Sequence, residues 1–213
     1  AIISTHTINL QEQLVDKDLP LLGKMLENGF SVVLMKGRGN YLCPRRLKIA
    51  LSNGSDLFDI DDLDELDAVR DWAEETDDGT LSDMDFEPSM RVWSQVCSES
   101  HLCTPRTCGH DSYCFYQMAR KQAATADVVV INHTLLFTMM GANEGSDETG
   151  EGFIFPEDFL IIDEAHTLEN VAAKQLGLRV SKAGIRFDLN RLFDVKRKRG
   201  MFQAIRHAEG VQC

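Results

Sequence analysis

The sequence Phe159-Leu160-Ile161-Ile162-Asp163-Glu164-Ala165-His166 places two adjacent carboxylates directly after four apolar residues. A short continuous apolar run of this kind predicts a buried strand of a parallel sheet. Because ligands of open α/β sheets bind outside the carboxyl ends of the strands, Asp163 is expected at a ligand site. A carboxylate there suits a phosphate-bound Mg²⁺, and Glu164 can orient or deprotonate an attacking water. The alternative is a buried strand whose terminal acid caps the following helix.

The length and composition are those of a globular protein with one or two domains. The chain has 213 residues, 43% hydrophobic and 26% charged, which excludes a fully disordered or fibrous protein. No apolar run reaches the length of a membrane span and no signal-peptide pattern is present. We therefore expect a cytoplasmic protein with no membrane partner. The chain does not begin with Met, and we expect it to be a fragment of a longer protein.

The negative charge of the chain is concentrated in one segment. The formal net charge of −12 argues by itself against a nucleic-acid partner. Between Asp56 and Glu87, however, there are 15 acidic residues and one base, so this segment carries −14 and the remainder +2. Apolar residues that recur there every three positions predict a helix with one apolar stripe and an acidic face. The stripe consists of Ile60, Leu63, Leu66, Val69 and Trp72.

The beginning of the chain has the pattern of a βαβ unit. Residues 1–5 and 30–35 are predicted strands, and Leu10 to Leu26 is a predicted helix that Pro20 should kink. Strand, helix and strand within about 35 residues imply a parallel sheet. Another buried strand is predicted at 127–133. The predicted core side of the helix consists of Leu10, Leu14, Leu21, Leu22 and Met25.

Cysteines are clustered in the middle of the chain. Six are present, and four fall within eighteen residues. Without a secretory signal a disulfide framework is not expected, so the clustering favours a metal site. The spacing Cys103-x4-Cys108-x5-Cys114 lacks the C-x2-C pair of a zinc ribbon and suits an iron–sulfur cluster, with zinc second and unligated cysteines third. The candidates for a fourth ligand are Cys43, Cys97 and Cys213.

Four segments, the last of them already described, occur in an order typical of one enzyme family. They are Ser4-Thr5-His6-Thr7, Lys36-Gly37-Arg38-Gly39-Asn40-Tyr41-Leu42-Cys43, Asn132-His133-Thr134-Leu135-Leu136 and Asp163-Glu164-Ala165-His166. The first resembles motif Ia and the last motif II of DEAH helicases. The second resembles the segment that supplies the first cluster ligand in the XPD/DinG family of superfamily 2 helicases. With the cysteines that end at Cys114-Phe115-Tyr116, the chain resembles this family over most of residues 1–170, and its bacterial DinG-like branch fits best.

The resemblance implies a fold and a cofactor. The fold is α/β: a partial RecA-like parallel sheet with an inserted iron–sulfur module and the start of a helical arch domain. The implied boundaries are 1–37 and 126–170 for the RecA-like domain, 38–125 for the module and 171–213 for the arch. A 4Fe–4S cluster is implied on four thiols, with Cys97 as a neighbour that is not a ligand. The implied ligands are Cys43, Cys103, Cys108 and Cys114.

The resemblance also implies roles at the nucleotide site. ATP would bind between two RecA-like domains. Asp163 would hold Mg²⁺, and Glu164 would position and activate the hydrolytic water. His166 would either couple this site to the DNA strand or simply cap the following helix.

DNA is the implied partner, as a single strand or a fork, with 5′-to-3′ translocation by a monomer. Thr5, His6 and Thr7 at a strand end would contact phosphates without reading sequence. Basic residues near the first cluster ligand, interleaved with aromatic residues, would track a single strand, although core packing is the better interpretation for each aromatic. These basic residues are Lys36, Arg38, Arg45 and Arg46.

The phosphate-binding loop G-x-x-x-x-G-K-[ST] of a motor is absent from the sequence. Gly23-Lys24 is followed by Met25 and lies inside a predicted helix. We expect the loop before Ala1 and a second motor domain beyond Cys213. The isolated chain is therefore expected neither to bind ATP tightly nor to unwind DNA.

Two other functions compete with a helicase. One is a non-enzymatic cysteine-rich module that binds zinc or nucleic acid on an α/β domain. The other is a degenerate motor or nuclease-associated protein that binds DNA without unwinding it. Iron and sulfide content separates the first from a helicase, and the sequence of the full-length gene separates the second.

Overall fold

The computed structural model describes residues 1–26, 29–52, 60–100, 102–103, 108, 113–142, 159–177, 181–182, 185–186, 189 and 192–193. Contacts divide the chain into two units, Ala1–Gln175 and Leu176–Cys213. In the second unit, the amides of Ile185 and Phe193 donate helical hydrogen bonds four residues back. Cys213 and most of the predicted arch segment 171–213 lie outside the described residues.

A four-stranded sheet forms the centre of the first unit. Its strands are β1 (Ile2–Thr5), β2 (Val32–Leu34), β3 (Val128–Asn132) and β4 (Leu160–Ile162). Their order is β2-β3-β1-β4, and every neighbouring pair is parallel. The predicted α/β class with a parallel sheet is confirmed.

The register of the sheet brings three strand ends to one edge. Thr5 lies opposite Asn132, and Ser4 lies opposite Ile162. The pairing extends one residue beyond β4, since the Asp163 amide donates to the Ser4 carbonyl at 2.8 Å. Polar residues that follow β1, β3 and β4 in the sequence therefore converge in space.

The prediction that residues 159–162 form a buried strand is half right. They form a strand, but β4 lies at the end of the sheet and is exposed, with Ile161 53% accessible. β3 is the buried strand, with Val130 and Ile131 fully inaccessible. An apolar run indicates a strand, but only the strand order decides whether both of its faces are covered.

The predicted helix at 10–26 is three helical segments. α1 (Ile8–Gln13) passes through a π-helical turn (Leu14–Asp18) into α2 (Leu19–Met25). Pro20 lies in the first turn of α2, directly after the π-helical turn, so the helix is distorted beside the proline as predicted. The π turn rotates the apolar positions away from the core, so the predicted core side is wrong at its C-terminal end. Leu21 and Met25 are 62% and 76% exposed, whereas Gln11 and Leu19 are buried.

Gly23-Lys24 lies within α2, as predicted, and forms no phosphate loop. The remaining helices are α3 (Pro44–Ser52), α4 (Ile60–Glu75), α5 (Met90–Val96), α6 (Phe115–Thr125), α7 (His133–Ala142) and α8 (Leu168–Leu176). Short 3₁₀ turns cover Arg38–Asn40, Leu81–Asp83 and Ala165–Thr167. None of the helices in the described part of the chain is long and apolar enough to span a membrane.

Residues 60–75 of the acidic segment form α4, as the apolar stripe predicts. Leu66 and Val69 are buried, most of the acids are exposed, and Asp62 is paired with Arg91. Helices α3, α4 and α5 pack together around a core that continues to the sheet. Its central members include Tyr41, Leu42, Leu47, Leu66, Val69, Val92, Trp93 and Val96.

Gly79 joins this core to α6 at a position that accepts only glycine. Its φ is +63°, and a Cβ atom there would lie 2.2 Å from the Phe115 ring. Its carbonyl accepts a hydrogen bond from the Leu42 amide at 2.8 Å. The backbone next to Cys43 is thereby tied to the start of the helix next to Cys114.

Candidate functional site

Side chains from three strand ends form what we call the strand-end site: Ser4, Thr5, His133, Asp163 and Glu164. The Thr5 hydroxyl donates to Asp163 Oδ2 at 3.1 Å. The Asp163 backbone is held by Ser4 at the same time. The carboxylate itself remains exposed at the carboxyl edge of the sheet. An exposed, oriented carboxylate at this place can hold a hard cation such as Mg²⁺.

Glu164 adopts a left-handed backbone conformation, with φ 53° and ψ 39°. A residue with a Cβ atom is strained there by about 1–3 kcal/mol, and such strain persists only where neighbouring groups enforce it. The Thr167 amide and hydroxyl both donate to the Glu164 carbonyl, at 3.0 and 2.9 Å. This conformation presents the Glu164 carboxylate to solvent beside Asp163.

His166 lies next to the Glu164 carboxylate, with Nδ1 3.2 Å from Oε2. Its side chain is 75% exposed. An exposed pair of this kind contributes little to stability. His166 lies in a 3₁₀ turn that leads into α8, and both predicted roles, coupling to DNA and capping of the following helix, stay predictions.

His133 is a member of the site that reasoning from residue types overlooked. It is fully buried at the start of α7, and its Nδ1 lies 2.7 Å from Ser4 Oγ. Its Nε2 makes no hydrogen bond within the described part of the chain. Burial lowers the pKa of His133 and nearby His6 adds to this, whereas the Glu164 and Asp163 backbone opposes it. The sequence signal for this residue was its position directly after the apolar run of β3.

The three predicted DNA contacts in motif Ia have different environments. The Thr5 side chain is buried and committed to Asp163, so it is not at the surface where a phosphate would bind. Thr7 is exposed and caps α1 by accepting from the Leu10 amide at 3.3 Å. His6 is exposed, and its ring centroid lies 6.2 Å from that of His133.

The predicted basic patch is not a continuous surface. Lys36 is 4% exposed; its Nζ lies 2.9 Å from Glu12 Oε1 and donates to Ser82. Arg45 is exposed. Lys36 therefore ties α1 to the acidic segment, while Arg45 remains the most accessible member of the predicted patch.

Arg38 and Arg46 bind the backbone around the cysteines. Arg38 donates to the Cys103 carbonyl at 3.0 Å, and its guanidinium lies 4.2 Å above the Tyr116 ring. Arg46 donates to the carbonyls of Cys97 and Ser94. Both arginines thus stabilise the fold near the thiols, a role that the sequence does not distinguish from contact with DNA.

Three of the predicted cluster ligands line one cavity of about 340 Å³, which we call the cysteine cavity. The fourth, Cys103, has its Sγ 3.6 Å from Cys43 Sγ. Cys97 is buried outside this cavity. Among the residues that the structure describes, no three metal-binding side chains converge closely enough to hold one ion. The full lining is Cys43, Pro44, Arg45, Lys48, Cys108, Tyr113 and Cys114.

The Cys43–Cys103 pair favours one thiolate and one thiol. The hydrogen bond from Cys43 lowers the pKa of Cys103 to about 5, against the effect of burial. The same hydrogen bond, with burial, raises the pKa of Cys43. The Glu99 amide also donates to Cys103 Sγ at 3.4 Å. A thiolate held this way is the form of cysteine that binds metals.

A second cavity, of about 530 Å³, lies between the cysteine segment and the C-terminal end of β3. Arg38 and Tyr116 line one side, and Asn132 and Thr134 line another. It is open to solvent and carries both hydrogen-bonding and aromatic groups.

Comparison with known proteins places this arrangement in a class. The family model described as DEAD_2 matches residues 90–185, which include β3, β4 and the strand-end carboxylates. The chain is 38% identical over 182 residues to the ATP-dependent DNA helicase YoaA of Escherichia coli, covering 84% of this chain and 28% of that protein. It is 36% identical to the ATP-dependent DNA helicase DinG of Photobacterium profundum, covering 80% of this chain and 25% of that protein.

A third relative has a different name. The 3′-5′ exonuclease DinG of Bacillus subtilis is 28% identical over 207 residues, which are 96% of this chain and 21% of that protein. The chain thus spans about a quarter of the length of these relatives. It belongs to the DinG-like helicase family, as the resemblance of its motifs predicted.

Proposed function

We propose that the full-length protein is an ATP-dependent DNA helicase that moves 5′ to 3′ along a single strand. The observation that carries this proposal is the strand-end site, where Thr5 and Ser4 hold Asp163 beside the exposed carboxylate of Glu164. The names of two relatives as ATP-dependent DNA helicases support it. On this proposal the sheet is part of a RecA-like domain, with the iron–sulfur module at 38–125 and the arch from 171.

On this proposal four residues of the strand-end site and the nearby Thr167 have distinct tasks in ATP hydrolysis. Mg²⁺, when bound, would neutralise charge on the transferred phosphoryl group. Asp163 would hold this ion, and Thr5 would fix the carboxylate by donating to its other oxygen. Glu164 would accept a proton from the attacking water or orient it. Ser4 and Thr167 would hold the two backbone segments that carry these carboxylates.

The test is hydrolysis and strand separation by the full-length protein. We expect ATP hydrolysis that single-stranded DNA stimulates and unwinding of forked duplexes with a free 5′ tail. Glu164→Gln should abolish both while nucleotide binding persists. DNA binding without ATP hydrolysis in the unmutated protein would instead identify a degenerate motor, and strand shortening would identify a nuclease.

We further propose that the cysteine cavity holds a 4Fe–4S cluster on Cys43, Cys103, Cys108 and Cys114. The support is the common cavity of three of these thiols, the contact of the fourth with Cys43, and the lowered pKa of Cys103. A cluster spreads its ligands over four irons, so the thiols need not converge on one point. When bound, it would be a structural element that shapes a wedge near the DNA fork.

Iron and acid-labile sulfide after anaerobic purification test the cluster. About four irons per chain are expected, with loss in Cys103→Ser. Cys97→Ser is the matched control, since Cys97 is also buried but lies outside the cavity. Stoichiometric zinc without sulfide would instead support the cysteine-rich zinc module.

For DNA we propose contacts from the exposed residues of the predicted set, His6, Thr7 and Arg45. Arg38 and Arg46 would act from the rim of the cysteine segment, and Lys36 and Thr5 would act by positioning. Phosphate contacts of this kind bind without sequence preference. The protein would act as a monomer in the cytoplasm, where its DNA substrate is.

A further inference from the structure

Lys36 connects the sheet to the segment that carries the cysteines. It lies two residues after β2, and its side chain is buried. Its Nζ lies 2.9 Å from Glu12 Oε1 on α1 and also donates to the hydroxyl of Ser82, 46 residues further along the chain. We call these three side chains the Lys36 contact. One ammonium group thus joins two parts of the protein that are distant in sequence.

Helix α1 carries the proposed DNA contacts at its start and a member of the Lys36 contact near its end. Thr7 is the N-cap of α1. Gln11 is fully buried, and its Nε2 donates to the carbonyl oxygens of Met35 and Val130 at 3.2 and 3.4 Å. Gln11 therefore holds α1 on the sheet, whereas the next residue along the helix connects α1 to the cysteine segment.

The 3₁₀ turn with Ser82 is connected to the backbone beside Cys43. Thr80 directly precedes this turn, and it forms an antiparallel β-bridge with Tyr41. Tyr41 is buried and lies two residues before Cys43, and its hydroxyl accepts a hydrogen bond from the Lys36 amide at 3.0 Å. The position of Ser82 therefore follows that of the backbone that carries Cys43.

Burial makes the geometry of the Lys36 contact specific. The side chain of Lys36 is 5% accessible, and a charge removed from water needs partners at hydrogen-bond distance. Burial would raise the pKa of Glu12, but its hydrogen bond with Lys36 keeps that pKa below its usual value, so Glu12 supplies the opposite charge. An ammonium group has three donors and can bind Glu12 and Ser82 together. A displacement of either partner would leave the buried charge short of a hydrogen bond.

We propose that the cysteine segment positions the DNA contacts at the start of α1 through the Lys36 contact, which makes Glu12, Lys36 and Ser82 positioning residues. The proposal rests on the proposed function, since it places single-stranded DNA at His6 and Thr7. None of the three side chains has to touch DNA. Without the hydrogen bond to Ser82, α1 would lose its connection to the cysteine segment and present His6 and Thr7 to a strand less precisely.

The first test is Ser82→Ala in the full-length protein, because Ser82 is exposed and its loss keeps the ion pair of Lys36 with Glu12. The dissociation constant of a single-stranded oligonucleotide should rise about tenfold, within the usual range of coupling between sites. The slope of log K against log salt should stay unchanged, since no phosphate contact is removed. The matched control is Ser94→Ala, whose hydroxyl donates to the Arg91 carbonyl within α5. This control should leave the dissociation constant within about twofold.

Hydrogen exchange of the peptide that contains residues 6–13 measures the effect on α1 directly and needs no DNA. Exchange there should accelerate about tenfold in Ser82→Ala, since a hydrogen bond to a charged group is lost. Ser94→Ala should leave it unchanged. Unchanged exchange in Ser82→Ala, or a lowered melting temperature with unchanged DNA affinity, would overturn the proposal.

Substitutions at Glu12 and Lys36 separate positioning from stability. Glu12→Gln leaves the buried ammonium group without its opposite charge and should lower both the melting temperature and the DNA affinity. Glu12→Leu combined with Lys36→Met replaces the ion pair with apolar side chains, which often restores stability. The melting temperature should therefore recover in this double variant. Its dissociation constant should stay about tenfold above that of the unmutated protein, because an apolar pair cannot bind Ser82. Recovery of both quantities would show a merely structural role and contradict the proposal.

DNA binding by the unmutated full-length protein distinguishes this proposal from the proposed function. If that protein binds no single-stranded DNA, the proposed function fails, and the role of the Lys36 contact in DNA binding fails with it. If it binds DNA, and Ser82→Ala and the double variant bind equally well, only the positioning role fails.

Discussion

The strand-end site and the cysteine cavity are positioned in different ways. The groups of the strand-end site follow three parallel strands whose register places them side by side, through backbone hydrogen bonds that need no ligand. The thiols of the cysteine cavity belong to Cys43, directly before α3, to Cys108 and to Cys114, directly before α6, and Cys103 lies beside Cys43. The chain itself therefore positions the carboxylates, whereas on our proposal the arrangement of the thiols would also depend on the cluster.

The largest effect is expected at the strand-end site. Glu164→Gln keeps the shape of the side chain and removes its ability to accept a proton. We expect the ATPase rate of the full-length protein to fall about 10²- to 10⁴-fold. The control is His166→Gln, which alters an exposed neighbour and should change the rate far less. Equal losses in the two variants would contradict the assignment of Glu164.

Removal of metal should affect the region around the cysteine cavity and leave the strand-end site unaffected. If the thiols depend on a bound cluster, a chelator under reducing conditions should loosen residues 41–97 and leave the sheet intact. Hydrogen exchange should accelerate about tenfold or more in α3 and α5 and stay unchanged in β1 and β3. Equal acceleration of exchange in both regions would show that they unfold as one unit. That result would contradict the expectation that only the cysteine region depends on a metal.

Alkaline pH should weaken the core beside the cysteine cavity. Burial raises the pKa of Tyr41 to about 12, and its hydroxyl oxygen accepts a hydrogen bond from the Lys36 amide at 3.0 Å. The folded pKa lies above the unfolded one, so the neutral form stabilises the fold below pH 10 and this contribution is lost as pH rises from 10 towards 12. The free energy of unfolding should fall by roughly 3 kcal/mol over this range. Tyr41→Phe should remove this dependence in urea titrations, and a parallel fall in that variant would contradict it.

A smaller effect is expected from the hydroxyl that holds Asp163. Thr5→Val preserves shape and removes the hydrogen bond to the carboxylate. We expect a loss of about 1–3 kcal/mol in the free energy of unfolding, since the acceptor is charged but partly solvated. Thr138→Val is a matched control because Thr138 is exposed and bonds only within α7. It should change stability by less than about 0.5 kcal/mol, and a similar loss in both would weaken the role of Thr5.

The smallest effect is expected from Arg45. If Arg45 contacts a phosphate, Arg45→Ala should reduce the salt dependence of single-strand binding by about 0.7 in the slope of log K against log salt. Lys36→Met is the comparison, because Lys36 is buried against Glu12. It should lower stability and leave the slope nearly unchanged. A reduced slope in Lys36→Met and an unchanged slope in Arg45→Ala would instead show that Lys36 contacts DNA.

Much of the fold follows from local sequence. The apolar runs before Thr5, Asn132 and Asp163 predict strands, and the three-residue spacing in the acidic segment predicts α4. The spacing is less informative at 14–25, since a π-helical turn changes which residues face the core. Pro20 predicts that the helix is distorted there, but it does not predict which residues then face the core.

Some residues of the candidate site can likewise be identified from the sequence, and others only from the structure. Asp163 and Glu164 are recognisable from the sequence because chemistry requires two carboxylates after a strand. The sequence does not show that the side chains of Thr5 and Lys36 bind neighbouring carboxylates. A hydroxyl or ammonium group is the same residue in the sequence whether it binds a phosphate or a carboxylate of the protein. The sequence identified His133 only as part of a motif. Its contact with Ser4, which is 129 residues away in the chain, appears only in the tertiary structure.

The amino-acid sequence by itself determined the parallel α/β class, the positions of the strands, the strand-end carboxylates and the family. Each of these depends on residues close together in the chain or on motifs in a fixed order. The tertiary structure decided that β4 lies at the end of the described sheet, that Lys36 and Thr5 turn inward, and that His133 contacts Ser4. These outcomes depend on strand order and register, which bring together residues more than a hundred positions apart and are not encoded in any local pattern.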